Sequence, residues 1–506
     1  MPIVTDVTKR AIRGTVVLLG LATAAVPLGS AAPATAQPHA EVYPGPPGKV
    51  FTFDGRGYGH GHGMSQWGAY GAVRARHRSA DQVLRFYYPH TSQRTFSTTH
   101  KIHVLVSAVG ARARGYLEVE PAAGLTVKPK GASPVSLPKK TANHHRITAW
   151  RLQHDRKHIA LRAQAHRHWH TLQSVGRKAT FTDATQTITV DQQYGGAVAY
   201  RGEFVAELES GNFEAVNALP IERYLRGVVA AEMPASWPHE ALQAQAVASR
   251  SYAWYEMRHP KASWFDVFGD TRDQAYGGVA AENVRTNRAI KATAGQVLVD
   301  SGRQPIFAQF ASSDGGWTVA GSQSYLPAEH DPFDGAVPNP EHSWTTTVSA
   351  AAIQAAYPSV GKLHDLTITR RDGNGAWGGR VLELALHGTG GTVAVTGSSL
   401  QFALGLRSPW FRPVPPPSAP RKLTVDVAHR VLTVGWRAPH SVKGAAAVSG
   451  YRVTISPDGR HKTVSSSARR ASFRRLAAGT HTVTVTARSS AGSGQAATMV
   501  VKTGHK

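Results

Sequence analysis

Not one of the 506 residues is a cysteine. Disulfides, thiolate nucleophiles and cysteine-ligated zinc are thereby excluded, and the fold must be held by packing and hydrogen bonding alone. Acidic residues are also scarce, 32 Asp and Glu against 57 Lys and Arg, for a formal charge of +25. Such an excess favours a polyanionic neighbour drawn in by long-range attraction; an Arg-rich coding bias with solvated charges is the plainer account. Long apolar runs are missing as well. The one candidate, Gly14 to Leu28, is shorter than the ~20 residues a bilayer-spanning helix needs. It follows Lys9, Arg10 and Arg13 and precedes Ala34-Thr35-Ala36, the layout of a secretory signal removed before Gln37 rather than of a retained anchor. Residues 1–36 are therefore expected to be a signal peptide, and the rest secreted, cell-wall associated and without a transmembrane segment. For an exported chain, anionic wall polymers and peptidoglycan are better partners for the positive charge than nucleic acid, for which no module signature is visible.

What is present divides the remaining chain. Pro44-Gly45-Pro46-Pro47-Gly48 reads as a flexible spacer over residues 37–49, with order starting near Val50. Period-two runs at Lys101 to Val109, Gln186 to Val190 and Glu203 to Glu209 predict half-buried strands, and Ser210-Gly211-Asn212 predicts a turn into Phe213 to Val216. From Leu219 to Tyr255 small and apolar residues crowd together. Pro238 followed by Glu240 marks a helix start, and Ala241 to Tyr255 holds no breaker, so a buried helix is expected there. Further strands are expected at Gln296 to Ser301, Pro305 to Phe310, Leu363 to Thr369 and Val381 to Leu386. Six prolines between Pro409 and Pro420 make a stiff extended linker, assigned to 413–420. Beyond it, alternation at Leu423/Val425/Val427, Leu432/Val434/Trp436, Tyr451/Val453/Ile455 and Val483/Val485/Ala487 predicts a small β-sandwich over 421–503. The fold class is thus α+β, a strand-rich domain over 50–412 followed by an all-β module.

Chemistry concentrates in Tyr224-Leu225-Arg226-Gly227-Val228-Val229-Ala230-Ala231-Glu232-Met233-Pro234 and in the helix that follows. Glu232 closes an apolar run, and the residue before Pro234 is pushed towards an extended conformation, so Glu232 belongs at a helix end. A carboxyl in low-polarity surroundings has its neutral form favoured, as a general acid requires. A structural carboxylate capping the helix after Pro238 explains it equally well. Glu240 is accounted for by the helix dipole.

The stretch Tyr224 to Tyr252 resembles the signature of the stage II sporulation protein D, or amidase-enhancer, family, whose Glu-Met-Pro glutamate maps onto Glu232. Gly55-Arg56-Gly57-Tyr58-Gly59-His60-Gly61-His62-Gly63-Met64-Ser65-Gln66-Trp67-Gly68-Ala69 is similar to the family's glycine-rich element. Asp270 with Asp273 to Gly278, Ala311 to Gly316, and Leu404 to Phe411 look like further blocks. The resemblance spans about Phe51 to Arg412. Two departures stand out: the glycine-rich element lies at the front, where many members carry it near the end, and the cysteines through which some relatives bind zinc are absent. The C-terminal segment resembles a fibronectin type III module in Trp436, Gly450-Tyr451 and Leu476, with His481 where that family has its corner tyrosine.

The glycine-rich element lacks the Gly-Lys-Ser/Thr of a phosphate loop. Its glycines interleaved with Tyr58, His60 and Trp67 better suit a backbone lying against a sugar. His60-Gly61-His62 has no carboxylate partner in view, which disfavours a metal there; His166, His168 and His170 stand among arginines, as on a solvated basic strand. No cofactor or metal is expected. The resemblance implies lytic transglycosylation of the bond between N-acetylmuramic acid and N-acetylglucosamine, with Glu232 as sole acid and base, in contrast to the carboxyl pair of a hydrolase. It further implies His60, Gln66, Gln245, Arg250, Gln274, Tyr276, Ser312 and Ser313 as groups that position the glycan. The rival from another class is a non-catalytic wall-binding protein that stimulates a cell-wall amidase, and an ordinary muramidase is a third reading.

Overall fold

The computed structural model describes residues 40–428 and 431–504; the expected signal peptide lies outside them. Eight α-helices occur among the described residues: α1 (Gln66–Arg76), α2 (Ala80–Tyr87), α3 (Ala111–Arg114), α4 (Ile221–Glu232), α5 (His239–Arg258), α6 (Val284–Ala292), α7 (Ala350–Ala356) and α8 (Gly397–Leu404). None is long and apolar enough to cross a membrane.

Two large sheets form the β-rich part. One runs in the order 168–174, 158–165, 147–155, 116–119, 187–191, 197–201, and the other in the order 267–268, 101–105, 212–220, 203–209, 178–182, 126–129, 135–136. Alternating apolar residues from both, among them Val104, Leu152, Phe181 and Phe204, share one core with Tyr224, Leu225 and Val228 of α4. The Ser210-Gly211 turn is as expected: both residues have positive φ and join antiparallel strands paired at Glu209 and Asn212, the geometry that suits a two-residue hairpin. A second core is built from α1, α2 and the Ala-rich face of α5, with Leu84, Tyr88, Leu242 and Val247 fully or almost fully buried.

Three expectations need correcting. Residues 41–44 are not spacer: they form a strand antiparallel to Leu363–Arg371, and Glu41 makes a two-pronged ion pair with Arg371 at 2.7 and 3.0 Å. Glu-Val-Tyr already carries strand alternation; the prolines begin only at its end. Pro305 to Phe310 is not a regular strand. Ile306 and Ala308 turn inward as alternation requires, but only an isolated bridge at Pro305 and the pair Phe310–Ala311 hydrogen-bond as strand. The prolines after 409 are also partly structured, because Phe411–Val414 pairs with the strand Val50–Arg56, which leaves Pro415 to Pro420 as the connection.

The C-terminal module has sheets 421–428/431–437/470–474 and 460–465/450–456/479–489/492–503. Leu432, Val434, Trp436, Tyr451, Val453, Ile455, Val483, Val485 and Ala487 fill its core. His481 is buried there, with Nε2 2.9 Å from the Ala477 carbonyl and 3.0 Å from Thr503 Oγ1. The imidazole thus rebuilds the corner bond that a tyrosine hydroxyl would make.

Candidate functional site

Helix α4 ends at Glu232 because Met233 turns extended (φ −130°, ψ 133°) ahead of Pro234. A turn closes from Trp237 N–H to the Pro234 carbonyl at 3.0 Å, and α5 starts at His239 with no side-chain cap. The capping account of Glu232 therefore fails. Its Oε1 instead accepts the Ala275 N–H at 2.6 Å, and its Oε2 lies 3.4 Å from Gln66 Nε2. Glu232 is half-buried and forms no ion pair among the described residues. Burial lifts its carboxyl above the usual carboxylate range; the Ala275 N–H and the Gln66 amide pull it back only in part.

The partners are held by their own neighbours. Gln66 opens α1, whose N-cap Ser65 accepts the Gly68 N–H, and its amide also lies 3.4 Å from Gln245 Oε1. Gln245 is fully buried on α5 and donates to Ser249 Oγ at 3.0 Å. On the other side, Gln274 and Tyr276 flank Ala275. Gln274 donates to the Ser249 carbonyl and accepts from Tyr224 Oη. Tyr276 donates to Asn217 Oδ1 at 2.8 Å and packs on Gly227, where a Cβ would sit 2.7 Å from its ring. Both side chains anchor the loop that presents the Ala275 N–H, and neither offers a free polar group to a ligand.

Of the residues expected to position a glycan, Gln66 and Gln245 gather at Glu232, while Gln274 and Tyr276 act from behind it. Arg250 does not belong with them. It is fully buried, chelates Glu222 at 2.7 and 2.9 Å, and donates to the carbonyls of Ile290 and Gln296. It pins α4, α5 and α6 together. Ser313 is also committed, donating to Asp334 at 2.9 Å. Ser312 is half-buried, and its carbonyl takes the Trp67 N–H. His60 is exposed; its Nδ1 accepts the His62 N–H at 2.9 Å, and no hydrogen bond or ion pair joins it to Glu232.

The glycine-rich element serves α1. Gly57, Gly59, Gly61 and Gly63 all have positive φ, and a Cβ on Gly63 would lie 2.0 Å from the Gln309 carbonyl oxygen. Only glycine permits that approach, which lets Met64 and Ser65 pair with Phe310 and Ala311 and delivers Gln66 to the site. Behind this loop the carboxylates of Asp314, Asp331 and Asp334, all buried, have oxygens within 4.8 Å of one another. Asp334 already accepts from Ser65, Ser313 and Asn339 and meets His342 Nδ1 at 2.7 Å, while Asp331 accepts from Tyr87 Oη at 2.6 Å. A cation would compete with these donors, so the group suits a hydrogen-bonded hub joining loops better than a metal centre. Burial and mutual repulsion raise both Asp314 and Asp331.

Two features escaped sequence reasoning. A main-chain amide such as that of Ala275 carries no residue-type signal. The aromatic cluster of Trp67, Tyr70 and Trp237, with centroids 4.8 to 5.7 Å apart, joins residues distant in sequence, though Trp67 and Trp237 each sit in a recognised block. A cavity of about 800 Å³ bordered by Tyr43, Trp377, Arg412 and Pro416 has no lining residue in common with the Glu232 contacts.

Comparison with known proteins bears on the same segment. Residues 209–299 match the family described as Stage II sporulation protein, and residues 418–503 match the fibronectin type III domain. The amidase enhancer of Bacillus subtilis (strain 168) is 39% identical over 131 residues, covering 25% of this chain and 17% of that protein. Stage II sporulation protein D of the same organism is 30% identical over 162 residues, 28% of this chain and 46% of that one. The chain thus spans less than half the length of these relatives. Among solved structures, the fibronectin type III domain of human collagen alpha-1(XX) is 21% identical over 17% of this chain and 85% of that one, at a TM-score of 0.15, too low to bear on the fold. The resemblance to the stage II sporulation protein D family therefore holds over the segment that carries Glu232, Gln245, Arg250, Gln274 and Tyr276, and the C-terminal module is of fibronectin type III class.

Proposed function

We propose that this chain is an exported lytic transglycosylase of peptidoglycan glycan strands, with residues 50–412 carrying the chemistry and 421–503 a separate module. The observation that carries the reading is Glu232 itself: half-buried, raised above the usual carboxylate range, unpaired with any cation among the described residues, and hydrogen-bonded through one oxygen to Ala275. With Oε1 held by that N–H, the labile proton resides on Oε2. It passes to the glycosidic oxygen as the C1–O bond of N-acetylmuramic acid breaks. The carboxylate so formed takes the proton from the C6 hydroxyl while O6 closes on C1, leaving a 1,6-anhydro sugar and a free hydroxyl on N-acetylglucosamine. The proton is returned, no water is consumed and no second carboxylate is needed. Gln66, bridging towards Gln245, steadies the working oxygen.

The test is mass spectrometry of peptidoglycan incubated with wild type and with Glu232→Gln. Anhydromuramyl ends from wild type alone are expected. Reducing ends would instead identify a hydrolytic muramidase. The second reading, a non-catalytic protein acting through a cell-wall amidase, is favoured by the 39% identity to a protein named amidase enhancer. It predicts no glycan cleavage by either form.

A further inference from the structure

The fibronectin type III module is the most one-sidedly charged part of the chain. Between 421 and 503 it has fourteen Lys and Arg against two acids, Asp426 and Asp458. Six of the cations, Arg460, Lys462, Arg469, Arg470, Arg474 and Arg475, fall within sixteen residues that contain no acid. All six are exposed. They lie on and beside two strands, 460–465 and 470–474, each at the edge of its own sheet, so the two sheet edges together present one cationic side of the sandwich.

This side is organised rather than merely charged. Arg460 and Lys462 stand opposite Ile455 and Val453 of the neighbouring strand, so their stems cover the rim of the core and their heads reach across to the other sheet. Arg460 donates to the Arg474 carbonyl at 2.7 Å, Lys462 to the Ser472 carbonyl at 2.6 Å, and Arg469 to the carbonyls of Ser466 and Ala468 at 2.7 Å. These carbonyls fix the heads without cancelling their charge. One inward-pointing lysine suffices to keep an edge strand from pairing with another chain; six cations with no counter-acid exceed that need.

We propose that this side of the module, lined by Arg460, Lys462, Arg469, Arg470, Arg474 and Arg475, binds a linear phosphate-bearing polymer of the polyol-phosphate type through charge alone. Two observations select that class of partner. The nearby rings of Tyr451 and Phe473 are buried, and the exposed His461 alternates with Arg460 and Lys462 along its strand and so stands on the opposite face, which leaves no row of rings among the described residues of this side on which successive bases could stack, as single-stranded nucleic acid requires. The exposed large apolar residues of the module, Val427, Val442, Met499 and Val500, lie outside residues 450–475, so this side has no wedge for a bilayer. Strand geometry sets Arg460 and Lys462 about 7 Å apart, a row of charge for a flexible chain to follow. The inference does not depend on the chemistry at Glu232.

The experiment uses the full chain and titrates long-chain inorganic polyphosphate and poly(glycerol phosphate) across a salt series. Replacing Lys462, Arg470, Arg474 and Arg475 by Gln is expected to weaken binding roughly tenfold or more near physiological salt, and to flatten the slope of log affinity against log salt by on the order of one unit per charge removed. A control with Lys139, Lys140, Arg146 and Arg156 replaced by Gln removes the same charge from another exposed region and should bind as wild type. Thermal unfolding monitors the fold. Should the fourfold variant unfold, Arg470→Gln with Arg474→Gln, whose side chains make no hydrogen bond among the described residues, should still give about half the change in slope. Equal losses in the fourfold variant and the control would reduce the effect to net charge and overturn the proposal. So would tighter binding, at equal phosphate, to single-stranded oligothymidylate or to phosphatidylglycerol vesicles.

Discussion

At the scale of single residues, the position of Glu232 has two measurable consequences. General acid catalysis is typically worth ~10²- to 10⁴-fold, so Glu232→Gln should lower kcat by that order with glycan affinity nearly unchanged, as a single-turnover assay beside a binding isotherm would show. Stability should move the other way. The folded-state pKa of Glu232 lies above its ordinary value of 4.5, so no ionisation penalty is added at pH values below that, and the fold is destabilised as pH rises through the raised value. Glu232→Gln should therefore melt higher than wild type at neutral pH, with the difference vanishing in acid. A lower melting temperature at neutral pH would mean that the Ala275 contact outweighs desolvation. The same raised pKa predicts that kcat declines as pH climbs through it, because the proton donor is lost.

At the scale of elements, Arg250 and Gly63 separate architecture from chemistry. Removing Arg250 would strand Glu222 in the α4–α5–α6 junction, and breaking a buried pair on one side costs about 3–5 kcal/mol. Arg250→Met should lose stability on that scale in urea, and Glu222→Gln added to it should restore part, while kcat per folded molecule stays unchanged. A specific loss of kcat at full stability would return Arg250 to the glycan site. Gly63→Ala places a Cβ against the Gln309 carbonyl at positive φ, so the loop must shift. It should destabilise by roughly 1–3 kcal/mol and also reduce kcat, because Gln66 lies three residues on. The contrast is informative: one block residue inside the core is silent in kcat, whereas a loop glycine is not.

At the scale of the whole molecule, the two regions should separate by assay. Ending the chain after Val414, where the last strand shared with Val50–Arg56 closes, should preserve cleavage of short soluble glycans. It should weaken cosedimentation with intact walls, most visibly at low salt where long-range attraction is least screened. Much of this organisation was legible beforehand. Period-two runs located the large sheets, Met233-Pro234 ended α4, Pro238 began α5, and alternation from Leu432 to Ala487 marked the inward residues of the sandwich. These are consequences of local geometry, in which side-chain direction follows residue spacing. What could not be read was which recognised residue faces the site and which faces the core. Arg250 and Gln245 lie on one buried helix five residues apart, yet one chelates Glu222 and the other meets Gln66.

The sequence by itself determined that no thiol chemistry operates, that a lone glutamate closes a helix before Met-Pro, and that the C-terminal module is alternating strand with almost no acid. Each follows from residue type or from neighbours along the chain. Only the tertiary structure decided that the Ala275 amide and Gln66 meet Glu232, that Arg250 is a buried tie, that Glu41 to Pro44 is a strand, and that cations from two edges share one side. These depend on residues from ten to more than 300 positions apart, brought together by sheet register and by glycines that allow close approach, and spacing along a chain carries no record of either.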